Sequence, residues 1–132
     1  MKTKTETESA DKAPVPSDVL ERIFHEPSRL AIMSALCMAR AGLTFNELKE
    51  TCKLSDGNLN RHLKVLEEAG AIRVAKSFVG LKPRTTVTLS RKGLDRFTEY
   101  LDALAEVLNQ ARKAIPAGRQ VVALFGGKPA PV

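Results

Sequence analysis

The sequence predicts a mainly α-helical domain with one small β-hairpin and a long C-terminal helix. Three observations predict it. Three helix starts carry the same capping device, and the hydrophobic period falls from about 3.6 to about 2 only between Ala71 and Leu89. Leu94, Phe97, Leu101, Leu104, Leu108 and Ala111 then recur at spacings of 3, 4, 3, 4 and 3. A chain of 132 residues holds one core with ordinary tails.

Residues 1–16 are polar and charged and end in Ala-Pro-Val-Pro. They hold too little apolar surface to offset ordering and are read as a disordered tail, so the domain is expected over 17–114. Asp18 and Glu21 have capping-box spacing and open a short predicted helix with Val19, Leu20, Ile23 and Phe24 as its apolar residues. Pro27 ends that helix and suits the first turn of the next. The second helix is expected to run to about Arg40, with Leu30, Met33, Leu36 and Cys37 inward and Gly42 as its stop.

In "LTFNELKETC", Thr44 is the N-cap, Glu47 completes a capping box, and Leu43 can staple against Leu48. In "LSDGNL", Ser55 caps and Leu54 can staple against Leu59. In "LSRKGL", Ser90 caps and Leu89 can staple against Leu94. Helices over about 45–52 and 56–69 are joined by only a few residues, which forces them to cross steeply. Phe45, Leu48 and Cys52 form the buried stripe of the first; Leu59, Leu63 and Leu66 form that of the second, with His62 at its margin. Gly70 is placed to stop the second.

After Gly70, "AIRVAKSFV" and "RTTVTLS" read as two strands joined by a "GLKP" turn, with Ile72, Val74, Phe78, Val87 and Leu89 inward and Lys82 and Arg84 at the tip. The last helix is expected over about 91–114. Its seam reaches about 30 Å, further than a small domain covers alone, and favours a homodimer contact over a helix lying on its own core. Residues 115–132 are rich in Gly and Pro and are read as a flexible tail, in which Val121 to Phe125 is the one apolar piece.

The net charge is +6 and the pI about 9.6, which points to polyanionic partners, nucleic acid before an anionic membrane surface. Between Lys53 and Lys92 stand nine basic and three acidic residues, so the whole excess lies on the second helix of the pair, the hairpin and the start of the last helix. The N-terminus lacks the apolar core of a signal peptide, and no apolar run nears the ~20 residues of a membrane span, so a cytoplasmic protein with no membrane partner is expected. Cys37 and Cys52 lack metal spacing and fit reduced core thiols; His25 and His62 read as structural. No Ser/His/Asp or Cys/His arrangement, paired carboxylates, phosphate loop or metal cluster argues for an enzyme, and no cofactor is implied.

On a helical wheel, Gly57, Asn60, Arg61 and Lys64 lie opposite Leu59, Leu63 and Leu66, within about 100° of one another. Glu67 and Glu68 come only in the last turn. A solvated helix favours the reverse order of charge, so the front half of this helix is expected to meet something negative. The major groove admits such a helix, Asn pairs with adenine, and Arg or Lys pairs with guanine. Gly57 costs up to about 1 kcal/mol against Ala; it fits either a tight first turn or close backbone approach to DNA. Lys76, Lys82 and Arg84 would flank or enter the minor groove or clamp phosphate.

"PSRLAIMSAL", "LTFNELKE", "LSDGNLNRHLKVLEEAG" and "KSFVGLKPRTTVTLSRKG" resemble the winged helix-turn-helix transcriptional regulators of the MarR and ArsR kind, and most of all the compact subgroup termed winged-helix DNA-binding domains. The resemblance covers residues 18 to about 110. It implies a homodimer on a pseudo-palindromic double-stranded operator, and the leading expectation is a regulator that represses by occlusion. Ser55, Gly57, Asn58, Asn60, Arg61 and Lys64 would form the recognition helix. Lys76, Ser77, Lys82, Arg84 and Thr85 would form the wing. Leu94, Phe97, Leu101, Leu104, Leu108 and Ala111 would form the dimer contact. Metal-sensing ArsR proteins carry paired cysteines where this chain has only Cys52, so metal sensing is not implied; nor does any residue identify a small-molecule effector pocket. The alternative is a winged-helix module that binds protein and not DNA, which predicts an exposed apolar patch on the hairpin or the recognition helix.

Overall fold

A computed structural model describes residues 20–117. The expected capping box at Asp18, the N-terminal tail and the apolar piece at Val121 to Phe125 lie outside the described residues. The chain runs α1 (Pro27–Met38), β1 (Leu43–Thr44), α2 (Phe45–Cys52), α3 (Asp56–Glu68), β2 (Ile72–Val79), β3 (Lys82–Leu89) and α4 (Arg91–Ala114). The three strands form one antiparallel sheet in the order β1-β3-β2. This is the mainly α fold with a small hairpin and long last helix that the sequence predicts. Among the described residues, no helix is long and apolar enough to cross a membrane.

All three predicted caps form. Thr44 and Glu47 exchange both bonds of a capping box, at 2.9 and 3.1 Å. The hydroxyls of Ser55 and Ser90 accept from the backbone N–H groups of Asn58 at 3.2 Å and Gly93 at 2.8 Å. Gly70 closes α3 in the left-handed region, with Gly70 N–H donating to Glu67 and Ala71 N–H to Leu66, the paired bonds of a Schellman stop. The turn between α2 and α3 is three residues long and passes through Lys53 in the left-handed region, at φ 56°, ψ 51°.

Two expectations about the first third are corrected. The described part of the short helix before Pro27 is a single hydrogen-bonded turn, in which Phe24 and His25 N–H groups donate to the Glu21 carbonyl. Pro27 disfavours helical geometry in the residue before it, and Glu26 is extended, at φ −151° and ψ 131°. Glu26 instead caps α1, its carboxylate accepting from Arg29 N–H at 2.8 Å. The second correction is the end of α1, at Met38 and not Arg40. β1, two residues long, is an addition: Leu43 pairs with Val87 and Thr44 with Thr86.

One core joins these elements. Phe24, Ile32, Met33, Leu36, Leu48, Leu59, Leu66 and Val87 are fully buried, together with Phe97 and Tyr100 from α4. The rings of Phe24 and Phe97 meet edge to face at 5.3 Å, and Phe97 stacks on Tyr100 at 5.8 Å. Phe97, expected in the dimer seam, is therefore enclosed by its own chain. The front of α4 lies on the core through Gly93, Phe97, Tyr100 and Ala103. Leu94, Leu104 and Leu108 are half-buried, Leu101 is 40% exposed, and Ala111 is open to solvent. Beyond Leu104 the helix outruns the domain that supports its first half.

Cross-strand register fixes the faces of the hairpin. Ile72 pairs with Leu89, Val74 with Val87, Lys76 with Thr85 and Phe78 with Pro83, and these share the core-side face. Phe78 keeps the predicted phase but is 73% exposed, because the hairpin extends past the edge of the core. Val79 pairs with Lys82, so the turn has only two residues, Gly80 and Leu81. Gly80 has φ +64°, the requirement of the first position of a type II′ turn.

Candidate nucleic-acid interface

The candidate interface is built on α3. Leu59, Leu63, Leu66 and His62 are buried beneath it, while Ser55, Gly57, Asn58, Asn60, Arg61 and Lys64 are all exposed. Among the described residues, the side chains of Asn60, Arg61 and Lys64 make no hydrogen bond or ion pair. Asp56, the acidic residue in the first turn of α3, is held by Lys49 of α2 at 2.9 Å. That pair raises the Lys49 pKa, chiefly through the hydrogen bond. It also removes the carboxylate that would otherwise offset Arg61 and Lys64. Gly57 has no heavy atom within 4 Å of where a Cβ would sit, and its φ is not positive. The fold therefore has no use for a glycine there, and the tight-turn explanation falls away.

The buried back of α3 carries a polar contact that spacing along the helix does not reveal, made by His62. Arg29 of α1 donates from Nη1 to His62 Nδ1 at 3.0 Å and from Nε to the Ile23 carbonyl at 2.7 Å. A guanidinium only donates, so Nδ1 accepts and the neutral ring carries its proton on Nε2. Glu26 Oε1 lies 3.9 Å from the same nitrogen. Burial pushes the His62 pKa below the usual histidine range; Glu26 opposes this, while Arg29 and Arg61 add to it. Arg29 thus ties α1 to α3 through a neutral histidine. The only early signal was a histidine at the edge of a leucine stripe.

At its other end α3 is fixed to α4. The Ser90 hydroxyl donates to the Gly70 carbonyl at 2.6 Å while capping α4, and Ser90 N–H donates to Ala71 O at 3.1 Å. Gly93 packs so closely that a Cβ would lie 1.9 Å from the Ala71 carbonyl oxygen. Arg96 donates to the Ala69 carbonyl at 2.8 Å, pairs with Glu21 at 2.5 Å and lies over the Phe24 ring.

The predicted wing residues do not form one surface. Ser77 pairs with Arg84 and Val79 with Lys82 on one face, whereas Lys76 and Thr85 share the opposite face with Phe78. Lys76, Ser77, Lys82 and Arg84 are exposed and Thr85 is half-buried. Lys82 and Arg84 line an open groove of about 460 Å³ with Thr44, Phe45 and Asn46 at the front of α2. Asn46, exposed beside them, joins the candidate contacts. A second open groove holds Arg73, Arg91, Lys92 and Arg96 at the base of the hairpin, so the basic stretch divides between the two ends of the wing. Cys37 and Cys52 are free and half-buried, and burial raises both thiol pKa values away from thiolate reactivity.

Comparison with known proteins gives this geometry a setting. An uncharacterized protein of Methanocaldococcus jannaschii is 38% identical over 80 residues, which cover 61% of this chain and 86% of that protein. The structure of a transcriptional regulator homologue from Pyrococcus horikoshii superposes with a TM-score of 0.66 at 28% identity, covering 72% of this chain and 94% of that one. A MarR family transcriptional regulator from Silicibacter pomeroyi shares the fold at a TM-score of 0.53 and 19% identity, covering 83% of this chain and 68% of its own. The sequence model of a family described as "Winged helix DNA-binding domain" matches residues 28–108, from the start of α1 to well along α4. The chain belongs to that family of winged-helix DNA-binding domains.

Proposed function

We propose that the protein is a transcriptional regulator that binds duplex DNA in a sequence-specific manner as a homodimer and represses by occluding its site. The observation that carries this reading is the front of α3, where Asn60, Arg61 and Lys64 are exposed and unpaired beside a bare Gly57. The first turns of the helix enter the major groove, with Asn60 and Arg61 at base edges and Ser55, Asn58 and Lys64 on base edges or phosphate. Lys76, Ser77, Lys82, Arg84 and Thr85 hold the flanking backbone and minor groove. The homodimer is supported by α4, where Leu101 is 40% exposed beside the core and Leu108 and Ala111 lie on the stretch that outruns it, with Leu94 and Leu104 along the same side. Selection of bound fragments from a random duplex pool at stated salt tests both parts. It should enrich two inverted half-sites about one helical turn apart, ~10 bp. Enrichment of a single half-site bound by one protomer contradicts the homodimer, and no enrichment contradicts sequence-specific binding.

A second reading has an observation in its favour. Leu81 at the apex of the hairpin is exposed and apolar, with Phe78 exposed behind it on one face and Val79 on the other, the kind of surface a protein-binding module requires. Under that reading the pool shows no enrichment, and substitutions at the hairpin tip abolish a protein complex without touching any DNA affinity.

A further inference from the structure

Neither the recognition helix nor the cations explain the end of the wing. Leu81 stands at the apex of the hairpin, 98% exposed, with Phe78 and Val79 also exposed behind it. Pro83 shares a face with Phe78. None of the four belongs to the core, so their exposure to water gains the fold nothing. A turn that only reverses the chain is served as well by Gly followed by a polar residue. Here the apolar tip sits in a collar of cations, Lys76, Lys82 and Arg84, and no carboxylate occurs in the sequence between Glu68 and Asp95.

We propose that the wing tip is a wedge. Leu81, backed by Phe78, enters the minor groove of the bound duplex and partly unstacks one base step, while Lys76, Lys82 and Arg84 hold the phosphates on either side. The proposal rests on the reading of this chain as a duplex-binding protein. Charge complementarity selects the occupant. An apolar groove on a protein could take Leu81 and Phe78, but it would leave the three cations without partners unless it were also rimmed with carboxylates. A duplex supplies both halves at the right scale: walls of phosphate, and between them base faces that are apolar. Leu, Phe and Pro are among the side chains that wedge between base steps from the minor groove. That groove is about 6 Å wide, room for an apex side chain but not for a hairpin lying flat. Leu81 is placed for it, at the one point where the two strands end.

The test uses the full chain and the duplexes enriched by selection, with 2-aminopurine placed at each step flanking a half-site in turn. Wild-type protein should raise the probe's emission at one step. Leu81→Ala should abolish that rise and weaken binding about tenfold, the scale of one apolar side chain buried. The slope of affinity against salt should not change, because no charge is removed. Leu81→Phe should keep the emission signal. Leu81 touches nothing in the fold, so the Tm of each variant should match wild type. If wild type binds a selected duplex tightly with no emission change at any step, or Leu81→Ala binds as wild type does, the wedge is overturned and DNA binding stands. If no duplex is enriched, the underlying reading fails instead. Binding to vesicles of phosphatidylserine and phosphatidylcholine that requires Leu81, with no Leu81 effect on duplex binding, assigns the tip to lipid and also overturns the wedge.

Discussion

Gly57 and His62 occupy the same helix and are read by opposite arguments. Gly57 is exposed, with open space where a side chain would sit. Gly57→Ala should therefore stabilise the fold, by up to about 1 kcal/mol, and yet weaken DNA binding by placing a methyl group between helix and duplex. Urea unfolding and a binding titration on the one variant check both signs; equal affinity would show that the bare backbone is not used. His62 is held neutral chiefly by burial, with Arg29 donating to its ring. Its folded pKa is lowered by burial, so below the unfolded value of about 6.5 the unfolded chain binds more protons than the native one. Stability should therefore fall as pH drops from about 6.5 towards the folded pKa, with no His62 contribution above about 7.5. His62→Gln, whose amide oxygen can still accept from Arg29, should flatten that stretch of the stability profile; an unchanged profile contradicts the assignment. The exposed face of α3 was legible because residues at helical spacing share a side whatever the rest of the chain does. The Arg29–His62 contact was not, because it joins residues 33 apart in sequence through a single nitrogen. Phe78 shows the same limit from the other side: alternation gives the phase of a strand but not where the core beneath it stops.

Helix starts were the most readable elements, because a cap is a local event in which one side chain serves an N–H three residues on. Between Leu20 and Glu26 the predicted helix gives way to a single turn for a local reason, the extended Glu26 before Pro27, and for a non-local one. Glu21 is drawn to Arg96, and Phe24 is buried against Phe97 and Tyr100, which fixes that segment on α4 instead of on itself. β1 is two residues long, too short for any period. The junction between α3 and α4 depends on contact at backbone distance. Gly93→Ala must move α4 away from Ala71 or distort the stop of α3, and should cost about 2–3 kcal/mol, at the upper end for overpacking. Differential scanning calorimetry measures this directly, and a Tm equal to wild type would place the helix crossing elsewhere. The same junction sets the direction in which the wing leaves the body, so a surviving Gly93→Ala protein should also bind DNA more weakly.

At the scale of the whole molecule the sequence already located the charge, with the full excess of +6 between Lys53 and Lys92. It did not show that folding divides those cations between the front of α3, the wing tip and the base of the hairpin, because strand pairing decides which side each one faces. Nor did the seam in α4 show that Phe97 belongs to the monomer core while the end of the helix stands free of it. The family is one of winged-helix DNA-binding domains, and α3 and the wing together are the surface proposed to meet the duplex. The most direct measurement of that claim is the equilibrium affinity of wild type, Arg61→Ala and Arg84→Ala for selected and scrambled duplexes across a salt series. Arg61→Ala should weaken binding to the selected duplex by about 1–3 kcal/mol and relax base preference. Arg84→Ala should weaken binding on every sequence and reduce the salt slope by about 1. If neither substitution changes affinity or slope at moderate salt, α3 and the wing are not what this protein presents to DNA.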